Sequence, residues 1–145
     1  MELKYKKLHK DALEPQYATK GSAAFDLASV EEFKLLPGDI VRVRTGLAFE
    51  IPEGYELEIR PRSGLSFNSK LRIANAPGTI DSDFRGEVEI IVDNIMGKFP
   101  NPYTITKGQR LAQGIIRKVD QVTFVEVEEL SETERGSKGF GSSGV

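Results

Sequence analysis

Five short stretches of this chain gather the residue types that chemistry needs. The first, Ala23-Ala24-Phe25-Asp26-Leu27-Ala28-Ser29, sets one carboxylate inside an apolar strand. Such an Asp either ends a strand or turn, or holds a hydrated cation. The second, Pro61-Arg62-Ser63-Gly64-Leu65-Ser66, offers a guanidinium, hydroxyls and a permissive glycine, a set that suits a triphosphate and equally a plain turn. The third and richest runs from Asn75 through Ala76, Pro77, Gly78, Thr79, Ile80, Asp81, Ser82, Asp83, Phe84, Arg85 and Gly86 to Glu87. A tight hairpin there presents backbone N–H and C=O groups at fixed spacing, enough to read one edge of a pyrimidine. Asp81 and Asp83 are either turn formers or reactive carboxylates. In the fourth, Gly108-Gln109-Arg110-Leu111-Ala112-Gln113, the polar Arg110 and Gln113 interrupt an apolar strand. The fifth, Arg135 to Gly144, combines two cations, three hydroxyls, exposed backbone donors and the flat ring of Phe140. By composition it is a linker, but it also holds the parts needed to grip a phosphorylated base.

What the chain lacks narrows the chemistry. There is no cysteine, and His9 is the only histidine, placed in a polar N-terminal segment without a partner motif. Ser-His-Asp triads, Cys-His pairs and His-rich zinc sites therefore drop out. An enzyme built from these residues takes a carboxylate as its base and binds any metal through oxygens. His9 itself reads as a surface residue. A net charge of −2 argues against a broad nucleic-acid surface, although 20 Lys and Arg leave room for a local anion site. No apolar run reaches the length of a membrane span, and Met1 to Pro15 lack the core of a signal peptide. A soluble intracellular protein of one domain is the expectation.

The elements that must position these stretches are strands. Candidates are Leu3 to Lys7, Phe33 to Leu36, Ile40 to Arg44, Leu47 to Ile51, Tyr55 to Arg60, Leu71 to Ala74, Glu87 to Val92, Tyr103 to Ile105, Arg110 to Val119 and Val122 to Val127. Tyr55, Leu57 and Ile59 alternate with Glu56, Glu58 and Arg60, the period-two pattern of a half-buried strand. Turn signals separate the runs at Leu36-Pro37-Gly38-Asp39, Pro52-Glu53-Gly54, Ala76-Pro77-Gly78, Met96-Gly97 and Lys107-Gly108. A short helical turn fits within Ser66 to Lys70. Ten strands with tight turns predict an all-β sandwich, jelly roll or barrel, which excludes Rossmann and P-loop sites because both need strand–loop–helix units. A body of residues 1–130 and a Gly/Ser-rich tail of 131–145 follow from the change in composition after Leu130.

In order and spacing the five stretches resemble the five motifs of the trimeric dUTPase family. The strongest matches are Arg62-Ser63-Gly64-Leu65, Gly78-Thr79-Ile80-Asp81-Ser82-Asp83, Arg85-Gly86, Arg110-Leu111-Ala112-Gln113, and Arg135-Gly136 with Gly139-Phe140-Gly141-Ser142. The resemblance implies a jelly-roll, distorted β-barrel that assembles as a homotrimer, with active sites shared between subunits and a flexible C-terminal tail as lid. At about 3.3–3.6 Å per residue, the tail reaches roughly 50 Å, far enough for a neighbour's site.

The activity it implies is hydrolysis of dUTP to dUMP and pyrophosphate with Mg²⁺, limiting uracil incorporation into DNA and supplying dUMP for dTMP synthesis. By that resemblance Asp81 is the general base for a water attacking the α-phosphorus, and Gln113 helps place the water. Asp26 holds Mg²⁺ through water. Arg62, Ser63 and Gly64 contact phosphates. Asn75, Ala76, Gly78, Thr79 and Ile80 form the uracil-reading hairpin, and Phe84 lies under the deoxyribose. From the tail, Arg135 reaches the γ-phosphate, Phe140 stacks on uracil, and Gly141, Ser142 and Ser143 add contacts. Neither stable nucleic-acid binding nor a membrane is implied.

Several residues depart from the family pattern: Phe84 for a common tyrosine, Asn68 and Lys70 after Leu65, Ser143 for a threonine and Gly114 for a large aliphatic. Two other activities use such a scaffold. A dCTP deaminase needs a catalytic glutamate in the base pocket and typically a second serine where Gly64 stands. A dUTP-sensing regulator would keep the pocket yet lose Asp81 or Gln113, and both are present.

Overall fold

The computed structural model describes residues 1–95 and 101–139. Its centre is a pair of long antiparallel strands, β6 (Tyr55–Pro61) and β11 (Arg110–Lys118), in register from Ala112↔Pro61 to Lys118↔Tyr55. Two short strands flank them, β2 (Phe25–Ala28) on β11 and β8 (Gly78–Ile80) on β6. The resulting four-stranded sheet, in the order β2-β11-β6-β8, carries most of the chemically interesting residues. A three-stranded sheet, β4 (Ile40–Arg44), β9 (Glu89–Asn94) and β7 (Leu71–Ile73), forms another wall. Two ribbons complete the all-β barrel: β1 (Lys4–Lys7) with β5 (Leu47–Glu50), and β3 (Phe33–Leu35) with β10 (Tyr103–Ile105).

Alternation drives the layering, because successive side chains on a strand face opposite ways. Leu27, Val43, Leu57, Val92, Ile105 and Leu111 are fully buried and belong to one apolar core with Phe25, Phe49, Ile59 and Ile90. Gly114 falls at a tight place in that packing. A Cβ there would stand 2.8 Å from Leu57 Cδ1 and 2.8 Å from the Phe25 ring. Phe25 and Leu57 occupy the space that a large aliphatic at position 114 would need, so the departure at Gly114 is a packing choice. At Lys107-Gly108 the chain turns into β11 through Gly108, whose φ of +78° suits a residue without Cβ. The Gly108 N–H donates to the Ser29 carbonyl at 2.7 Å, tying the start of β11 to the end of β2.

Most expected strands form, with ends shifted by a residue or two. The run placed at Glu87 to Val92 is the strand Glu89–Asn94, and the helical turn placed within Ser66 to Lys70 starts earlier, as α1 (Ser63–Asn68). Gly78–Ile80, read only as part of a hairpin, is a strand in its own right. The expectation for Val122 to Val127 is overturned, since those residues form no strand. The pattern is apolar enough, but a strand forms only where it pairs with a neighbouring edge, and these residues pair with none of the described strands. Val122, Phe124, Val125, Val127 and Leu130 all project into solvent, Phe124 at 93% exposure.

His9 is a half-buried turn residue whose Nδ1 accepts the Asp11 N–H at 3.2 Å. Lys107 donates to the neighbouring Asp11 carboxylate and holds its pKa below the usual value. Among the described residues no helix is long and apolar enough to cross a membrane.

Candidate active site

The two ends of β6 hold two different clefts. At the Pro61 end, Asp26 on β2 and Gln113 on β11 are cross-strand neighbours, and Gln113 in turn pairs with Arg60 on β6. Residues with this register share a face, so Asp26 and Gln113 stand side by side. The strand ends at Pro61, and Arg62, Ser63 and Gly64 lead into the single turn and a half of α1. Together these residues line a cleft of about 470 Å³. The Gln113 amide donates to the Pro61 carbonyl at 2.8 Å, which fixes the side-chain amide in the cleft.

Charge in this cleft is already organised. Arg62 Nε lies 2.8 Å from Asp26 Oδ1, and Arg110 Nη1 lies 3.3 Å from Asp26 Oδ2. Arg62 Nη1 also donates to the Arg110 carbonyl at 3.2 Å. Sequence reasoning marked Arg110 as a polar exception in an apolar strand but gave it no part in the site. The signal was its polarity; its partner could not be read without the strand register. Among the described residues no cluster of three or more His, Cys, Asp or Glu side chains is suited to hold a metal. The single carboxylate of Asp26 fits an ion bound mainly by a ligand's own phosphates, as magnesium usually is, and does not fit a protein-built cage.

The other cleft, of about 750 Å³, opens at the Tyr55 end and is lined by Tyr55, Glu56, Thr79, Asp81, Ser82 and Arg85. Strand β8 delivers the hairpin there: Gly78 pairs with Ile59, Thr79 with Glu58 and Ile80 with Leu57. Gly78 is buried against Ile59 and Asn75, Ile80 is half-buried, and Asn75, Ala76 and Thr79 are exposed, of which Thr79 lines this cleft. Asp81 is exposed and opens a turn in which its carbonyl accepts the Phe84 N–H at 3.2 Å. Arg85 folds back, Nη1 donating to the Ser82 carbonyl at 2.6 Å and the Phe84 carbonyl at 3.0 Å.

The Phe84 ring lies across Gly86, where an added Cβ would come within 2.5 Å of its Cζ. Glu87 closes the segment. Its Oε1 accepts the Gly46 N–H at 2.7 Å and its Oε2 accepts Arg44 Nε at 3.0 Å. Neither Gly86 nor Glu87 was singled out from the sequence as holding the hairpin, because both act through partners more than forty residues away or through one ring.

Distance separates the two groups. Asp81 follows Ile80, which faces Leu57, whereas Arg62 follows Pro61. At about 3.3 Å per residue they stand roughly 20 Å apart along the sheet. Arg135 is farther along the chain, exposed, with Nε donating to the Lys138 carbonyl at 3.0 Å. Phe140, Gly141, Ser142 and Ser143 lie outside the described residues.

The model of the family described as dUTPase matches residues 10–144. The chain belongs to the dUTPase family. It is 51% identical, over 99% of both chains, to the deoxyuridine 5'-triphosphate nucleotidohydrolase of Nautilia profundicola. It is 44% identical to the protein of the same name from Helicobacter pylori strain J99, covering all of this chain and 98% of that one. Among solved structures, the Staphylococcus bacteriophage 80alpha dUTPase with dUPNHPP superposes with a TM-score of 0.90 at 34% identity, over 99% of each chain. The family fold and the barrel described above therefore agree. The deaminase reading finds no support in these relatives.

Proposed function

We infer that this chain hydrolyses dUTP to dUMP and pyrophosphate, as the names of its relatives indicate for them. The observation that carries the reading is the division of labour along β6. A cationic cleft with Arg62, Ser63 and Gln113 is suited to a triphosphate, and a rigid hairpin with an exposed carboxylate, Asp81, is suited to a base and a reacting water.

In this reading Asp81 accepts a proton from the water that attacks the α-phosphorus, and the Gln113 carbonyl orients that water. A placed base of this kind contributes about 10²–10⁴ in rate. Arg62 and Ser63 meet the phosphate oxygens, with Ser63 near the α–β bridge where leaving-group charge develops. Arg135 brings a second guanidinium from the tail. The backbone of Asn75 to Ile80 reads uracil, and its rigidity excludes a 5-methyl group, since overpacking costs about 1–3 kcal/mol. The flat ring of Phe84 under the sugar leaves no room for a 2′-hydroxyl. When bound, Mg²⁺ would neutralise phosphate charge and hold the triphosphate in one geometry, and Asp26 would hold its water shell.

Because Asp81 and Arg62 lie about 20 Å apart in one protomer, the working site takes Asp81 from one copy and Arg62 from another. A homotrimer with shared sites is thus part of the proposal. The solvent-exposed apolar residues between Val122 and Leu130 support it, because a second copy can bury what this one leaves open. An intracellular location belongs to the same reading.

Incubation with Mg²⁺ and, separately, dUTP, dCTP, dTTP and UTP tests the activity; only dUTP should yield a monophosphate and pyrophosphate. Co-expression of Asp81→Asn with Arg62→Gln tests the shared site. Each variant alone should be nearly inactive, and the mixture should recover activity in oligomers that pair an intact Asp81 with an intact Arg62. Failure to recover, with mixed oligomers demonstrably formed, would return both groups to one protomer.

A further inference from the structure

We propose that Arg110 is a positioning residue for the phosphates, acting through Asp26 and Arg62; the inference rests on the reading of the cleft just given. It begins with an irregularity in β11. Against β2, Ala112 faces Leu27, yet Arg110 faces Ala28, so two steps on β11 answer one on β2. That is a β-bulge, and it changes which face a side chain takes. In an unbroken strand Arg110, three residues from Gln113, would point away from the Gln113 face. The bulge absorbs Leu111, which is buried beside Ala112, and turns Arg110 onto the face that carries Asp26.

The consequence is a closed circuit. Asp26 receives Arg62 on one oxygen and Arg110 on the other, while the Arg110 carbonyl accepts Arg62 Nη1. Arg62 is therefore held by two partners: the Asp26 carboxylate, whose other oxygen the Arg110 side chain grips, and the Arg110 main-chain carbonyl. Two guanidiniums face one carboxylate, so the cluster keeps a positive charge for an arriving anion. Pre-set orientation matters because a fork already held need not be ordered when the ligand binds. Arg110, 58% exposed, supports the packing little, which makes its variants tractable.

The test is a double-mutant cycle on the full-length protein, titrating α,β-imido-dUTP calorimetrically in EDTA so that neither turnover nor Mg²⁺ enters. Arg110→Gln should weaken binding about tenfold, and Arg110→Lys, which keeps the charge beside Asp26, should recover part of that. In the Arg62→Gln background, adding Arg110→Gln should cost no more than about twofold. A merely structural role would instead add its full cost in both backgrounds, and that result overturns the proposal. So does an Arg110→Gln protein that binds as the parent does while the parent hydrolyses dUTP. If the parent neither binds the analogue nor turns over dUTP, the proposed function fails and this inference falls with it.

Discussion

The two ends of β6 are built on different principles. At the Pro61 end, side-chain charges do the positioning: Asp26 is bridged by Arg62 and Arg110, and Gln113 is pinned by one backbone carbonyl. At the Tyr55 end the hairpin is shaped by backbone turns and by one ring on one glycine, with Glu87 as its anchor to the β4–β5 turn. The contrast suits what each end would recognise under the proposed function. A triphosphate is highly charged and conformationally loose, so cations in a partly open cleft serve it. A uracil edge is neutral and rigid, so fixed backbone groups serve it better.

Three changes probe this contrast, beginning with the largest effect. Asp81→Asn removes the proposed base while leaving both recognition devices intact. Pyrophosphate release should fall by about 10²–10⁴, with imido-dUTP binding nearly unchanged in calorimetry; a parallel loss of binding would make Asp81 part of recognition instead. Gly86→Val comes next. It evicts the Phe84 ring, so the ratio of kcat/KM for dUTP over UTP should shrink by about tenfold, while the affinity for pyrophosphate at the cationic end stays the same. An unchanged ratio would remove Phe84 from sugar selection. The smallest is Glu87→Gln, which weakens two charge-assisted hydrogen bonds and should lower unfolding stability by about 1–2 kcal/mol. Denaturant titration measures it, and loss of stability equal to that of a surface variant would mean the anchor is dispensable.

How far these features could be read in advance follows the range of the interactions involved. Local ones were plain. The alternation from Tyr55 to Arg60, the Lys107-Gly108 turn and the chemistry-bearing residues of each motif sit in windows of a few residues, where period and turn type decide. Register was out of reach. That Asp26 adjoins Gln113, or that Arg110 turns to the Asp26 face, depends on one skipped residue opposite a strand more than eighty positions away. Val122 to Val127 failed for a related reason. Its pattern spelled a strand correctly, but pattern reports what a segment can pair as and says nothing about whether a partner edge exists. The family resemblance supplied the grouping of residues into one site, and the geometry then shows that grouping to span two ends of a protomer.

The bare apolar stretch between Val122 and Leu130 has a further meaning for the life of the chain. In a single copy Phe124 and Leu130 lie in water, on backbone that no sheet protects, and proteases cut such segments readily. If the homotrimer proposed above covers them, assembly would act as quality control: survival of each copy would be set by how soon it meets others. Cellular abundance would then rise more steeply than synthesis rate at low expression, because protection depends on encounter.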